Sequence, residues 1–157
     1  MAGIQMNLVE QMLFALLKAA LHGKAVADVC WKSCTDEDWQ QCYKLAATHG
    51  VMALAWDGIA LCGDECALPR ALRLTWGLAV QDYEEKYERY CRTAAELQDF
   101  YAGHGIEMVQ LKGVGLSACY PIPAHREGGD IDIYTWSADK NVRSDREANR
   151  LADELMK

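Results

Sequence analysis

No segment of the chain reaches the roughly 20 consecutive apolar residues that a membrane-spanning helix needs. The first twenty residues also lack the basic start of an export signal. They carry Glu10 and Lys18, with only a short apolar run from Met12 to Leu17. Surplus positive charge is missing as well. With a formal net charge of −7, the protein has no field to draw in duplex nucleic acid, and a broad nucleic-acid-coating surface is excluded. The seven cysteines are odd in number and scattered, which speaks against a disulfide framework and for reduced thiols. Internal repeats and low-complexity segments are absent too. These absences leave the expectation of a cytoplasmic globular protein without a membrane partner. Its 157 residues suffice for one domain with its own core, or somewhat more.

What is present is mostly helical periodicity. Leu8, Val9, Met12, Leu13, Leu16, Leu17 and Leu21 recur at threes and fours, which predicts a helix stopped at Gly23. Thr35 with Asp38 three residues on forms a capping box opening a second helix toward His49-Gly50. Val51 to Leu61 reads as a short apolar helix, and Pro69 suits the first turn of a long one. In the latter, Leu72, Trp76, Val80, Tyr83, Tyr87, Tyr90, Ala94, Leu97 and Tyr101 form an apolar, aromatic stripe, expected to face a core.

The pattern changes after Gly103-His104-Gly105. Ile106 to Leu111 reads as a strand, Gly113 to Tyr120 as a helix with a glycine-rich start, and Asp130 to Trp136 as a second strand. A last helical pattern begins at Ser144. The fold class is therefore α+β, with a helical N-terminal region, 1–103, followed at 104–157 by the first part of an α/β core. The chain ends inside a helical pattern with two strands in view. An isolated pair is marginal. Either the core continues beyond Lys157, or the two strands pack on the helices.

Asp130 and Asp132 stand two apart on an apolar run, so on a strand both carboxylates point to one side. That is a site for a hard divalent cation such as magnesium. The same acids could equally form ion pairs with Lys112 or Arg126. Lys112-Gly113 and Arg126 offer charge and donors for phosphate, and a guanidinium can bind phosphate in a bidentate manner. Together they suggest phosphoryl or nucleotidyl transfer. His125, beside Arg126, reads as an exposed loop histidine, with a general base or substrate contact as the alternative. Cys30-x-x-x-Cys34 and Cys62-x-x-x-Cys66 lie in interhelical loops, and a structural zinc on these four thiols is a further alternative.

The order of strand, Lys112-Gly113, Tyr120-Pro121-x-Pro123-x-x-Arg126 and Gly129-Asp130-Ile131-Asp132-Ile133-Tyr134 resembles an uncharacterised bacterial nucleotidyltransferase-like family of the polymerase-β-like superfamily. The resemblance spans about residues 45 to 136 and is most specific from Lys112 to Tyr134. It implies a minimal nucleotidyltransferase core that moves a nucleoside monophosphate from an NTP such as ATP to a hydroxyl acceptor, with Mg2+ or Mn2+ as cofactor. It implies Asp130 and Asp132 as the catalytic, metal-binding pair, and Lys112, Gly113 and Arg126 as phosphate contacts. The chain departs from the pattern twice. Val114 stands where the superfamily usually has a second glycine or a serine. No third carboxylate follows on a later strand, since Asp139, Asp145, Asp153 and Glu154 fall in a loop or helix. The alternative is thus a catalytically incomplete nucleotide-binding or protein-interaction domain.

Overall fold

The computed structural model describes residues 6–139 and 145–155. Four helices come first. α1 spans Leu8–His22, opened by an Asn7–Glu10 capping box and closed by Gly23 in the left-handed region. α2 spans Asp36–Thr48. There the Thr35 hydroxyl accepts from the Asp38 amide at 3.2 Å, and the Asp38 carboxylate accepts from the Thr35 amide at 2.8 Å. α3 spans Met52–Cys62, and α4, Arg70–Gly103, is the long helix. Strands β1, Ile106–Gln110, and β2, Ile133–Ser137, pair antiparallel, with Ile106 opposite Ser137 and Gln110 opposite Ile133. α5, Asp145–Leu155, ends the described chain.

The chain forms two compact units, Met1–Glu85 with Cys119–Glu127, and Lys86–Ala118 with Gly128–Lys157. The first is all-helical. Its core holds Met12, Leu16 and Ala19 of α1, Trp39, Cys42 and Ala46 of α2, Ala53, Ala55 and Ile59 of α3, and Trp76 and Val80 of α4. The buried indole N–H of Trp76 donates to the Met52 carbonyl at 3.0 Å, so this large side chain enters the core without an unmet donor. α1 and α3 approach closely at Gly58, where a side-chain carbon would collide with the Leu16 backbone.

The second unit has a smaller core of Tyr101, Ile106 and Ala152, flanked by Leu97, Phe100, Met108 and Ile133. β1 alternates as an antiparallel edge should, with Ile106 buried and Glu107 and Val109 exposed. Thr135, buried on β2, bonds Asn149 of α5 through its hydroxyl at 2.5 Å. The α+β class is thus realised as helices with one two-stranded antiparallel sheet. Among the described residues no helix is long and apolar enough to cross a membrane.

Two local elements differ from expectation. Residues 113–119 form a seven-residue 3-10 stretch, not an α-helix. β2 begins at Ile133 rather than Asp130. The later start of β2 follows from Gly113. Its positive φ of 67° turns the chain out of β1, so residues 130 and 131 have no strand to pair with.

Candidate functional site

Lys112, Gly113, Asp130 and Asp132 all belong to the second unit, at the end of the sheet where β1 stops and β2 begins. Asp130 and Asp132 therefore sit in the segment leading into β2, not on the strand. That segment is pinned at both ends. Upstream, the Tyr90 hydroxyl of α4 donates to the Gly129 carbonyl at 2.8 Å. Downstream, the Leu111 amide donates to the Asp132 carbonyl at 2.9 Å. The two tethers hold the chain at Gly129 and at Asp132, on either side of Asp130. The turn at Gly113 lies hard against this segment, and a side-chain carbon there would collide with the Asp130 carbonyl oxygen. Positive φ and close approach both require glycine at this position.

Lys112 Nζ lies 3.0 Å from Asp132 Oδ2. The contact is an ion pair that falls short of hydrogen-bond alignment, and this buried oxygen has no hydrogen-bond partner among the described residues. Contact with Asp132, reinforced by the charge of Asp130, raises the Lys112 ammonium above its ordinary pKa. Lys112 is thus a fixed cation throughout the physiological range. Beneath the turn, the Gln110 side-chain amide nitrogen is buried and likewise lacks a partner among the described residues. Its place at the last position of β1 carried no sequence signal beyond adjacency to Leu111-Lys112.

Arg126 lies in the helical unit, where its Nη1 donates to the Glu127 carbonyl at 3.4 Å. It follows a short 3-10 turn, Pro123–His125. His125 corrects the expectation of an exposed loop residue, being only 5% exposed. Its Nδ1 lies 2.8 Å from Asp57 Oδ1 of α3, and its Nε2 lies 3.1 Å from Glu84 Oε1 of α4. Asp57 and Glu84 were missed because they stand 68 and 41 residues away, among helical residues that read as ordinary surface.

The four thiols considered for zinc do not gather into a site. Cys30 is exposed while Cys62 and Cys66 are buried, and among the described residues no group of three or more histidine, cysteine or acidic side chains is placed to hold a metal. Burial, with Cys62 beside it, pushes the Cys66 thiol far up, and burial raises Cys42 to about 12. These thiols stay protonated and inert.

A family model described as uncharacterised nucleotidyltransferase matches residues 35–143, which covers the capped helix α2, the Lys112-Gly113 turn and the aspartate segment. The chain belongs to this nucleotidyltransferase family. The match takes in the helical unit from Thr35 onward as well as the acids, so the family extends over the helices before the turn. No curated protein and no solved structure matches the chain.

Proposed function

We propose that this protein is a magnesium-dependent nucleotidyltransferase that moves a nucleoside monophosphate from an NTP to a hydroxyl acceptor. The observation that carries the reading is the Lys112–Asp132 pair beneath the Gly113 turn. It combines a fixed cation with a buried carboxylate oxygen that has spare acceptor capacity. Asp130 and Asp132 fit a divalent cation as hard oxygen donors. Magnesium usually takes one or two protein carboxylates and completes its shell with water and substrate phosphate. When bound, such an ion lowers the charge on the triphosphate and on the departing pyrophosphate.

The residues of the chain do the rest. Lys112 exchanges part of its attraction for Asp132 for the phosphate oxygens, as a point charge. Arg126 supplies a planar, permanently charged fork for a second phosphate. The 3-10 stretch from Gly113 brings less dipole than the expected helix, so side-chain charge carries more of the phosphate affinity.

A second reading is favoured by the acids past β2. Asp139 follows the strand, while Asp153 and Glu154 are exposed on α5, the latter paired with Arg150 at 2.9 Å. None extends the Asp130–Asp132 pair, and a protein with two acids binds nucleotide without turning it over. Calorimetric titration with magnesium-ATP and magnesium-GTP tests both readings. Binding that requires magnesium and disappears in Asp130→Asn/Asp132→Asn is expected. No binding in either protein overturns the site. Binding with no pyrophosphate release when hydroxyl acceptors (sugars, protein side chains and RNA ends) are added selects the second reading.

A further inference from the structure

A neutral imidazole has one N–H, and a carboxylate oxygen can only accept. His125 has a carboxylate on each ring nitrogen, Asp57 at 2.8 Å and Glu84 at 3.1 Å. Both nitrogens must therefore donate, and the ring is an imidazolium. Its side chain is 6% exposed and that of Asp57 15%, so this charge is sheltered from water. While both contacts hold, neither ring nitrogen has a lone pair to act as a base. What the arrangement does fix is the segment that carries the histidine. α3 supplies Asp57, α4 supplies Glu84, and the neighbouring charged groups on the segment are Arg126 and Glu127. The segment is held a second time by Glu127, which lies against the Gly50 backbone and hydrogen-bonds Tyr83. Arg126 stands between these two anchors.

We propose that His125 is a positioning residue, whose double ion pair with Asp57 and Glu84 docks residues 121–127 on the helices and so sets how Arg126 is presented to a nucleotide's phosphates. This rests on the reading of Arg126 as a phosphate contact. A side chain flanked by two fixed neighbours has already lost much of its freedom before ligand arrives, which is how such a clamp would raise affinity. The hydrogen bond to Asp57, opposed by burial and assisted by Glu84, raises the His125 pKa. The clamp therefore loosens on the alkaline side of the ordinary histidine range.

The test has two arms on the full chain. Amide hydrogen exchange over residues 121–127 is compared in wild type, His125→Ala and Asp57→Asn, the last keeping side-chain shape in case His125→Ala does not fold. Faster exchange in this segment, with α1 unchanged, is expected. Unchanged exchange overturns the clamp. Magnesium-bound ATP, GTP, CTP and UTP are then titrated separately into wild type, His125→Ala, Arg126→Ala and the double variant. About a tenfold loss from His125→Ala is expected, with no added loss in the double variant beyond Arg126→Ala. Wild-type affinity should also fall with rising pH, a slope absent in both single variants. Additive losses, or an undiminished slope in His125→Ala, overturn action through Arg126. If no nucleotide binds wild type, the proposed function fails and the link to Arg126 fails with it, while the exchange arm still decides the clamp.

Discussion

At the scale of single residues, Gly113 and His125 carry the most consequence. Gly113→Ala places a side chain at φ 67° and against the Asp130 carbonyl. The left-handed conformation alone costs about 1–2 kcal/mol, and the collision must displace the acid segment. The expected outcome is a lower melting temperature together with loss of magnesium-dependent nucleotide binding, whereas Gly128→Ala, in open space, should retain both. His125 links stability to pH. An unfolded histidine titrates near 6.5 and the folded one higher. Its stabilisation is therefore complete below about pH 6.5 and is lost as pH rises through the folded value. Urea unfolding at pH 6 and pH 9 should show wild type losing stability on the alkaline side and Glu84→Gln losing less. An equal loss in both would remove Glu84 from the clamp.

At the scale of elements, the helices were legible and the path of the chain on either side of the Gly113 turn was not. The apolar period of α1, the Thr35–Asp38 box of α2 and the stripe of α4 are local patterns, and each helix formed within a residue or two of expectation. Asp130 and Asp132 were legible as a pair but misplaced on β2. Period two describes any extended segment, and what ends pairing at Gln110–Ile133 is a glycine turn elsewhere in the chain. The role of Tyr90 was hidden for the same reason. Its place in the stripe spoke for a core contact, yet its hydroxyl tethers Gly129. Helix packing offers its own check. Gly58→Val forces α1 and α3 apart at Leu16, and overpacking of this kind costs roughly 1–3 kcal/mol. A matching fall in unfolding midpoint is expected, read by helical circular dichroism.

At the scale of the whole molecule, the two units differ in what they bury. The helical unit sequesters four helices' worth of apolar side chains, including Trp39 and Trp76 at 0% exposure. The described core of the other is Tyr101, Ile106 and Ala152. Local opening is easiest where burial is least. Amides of β1 and β2 should therefore exchange before those of α1 and α3 in native-state hydrogen exchange, and equal protection would contradict this. The net charge of −7 adds a constraint on the proposed chemistry. On the proposed reading, a polyanionic substrate would be recruited by Lys112 and Arg126 against the overall field, so its binding should tolerate added salt better than a phosphate contact on a basic protein would.

The Asp57–His125 contact also has a consequence in time. The carboxylate is synthesised 68 residues before the ring that charges against it. N-terminal structure generally forms first as a chain emerges, and α1 to α3 contain most of what they need to pack. During that interval Asp57 is an acid on a nearly finished surface, waiting for a cation. The segment that carries Arg126 thus lands late, on a platform already built. A newly made molecule would gain its presented Arg126 only when this strap closes, with Asp130, Asp132 and β2 still to follow.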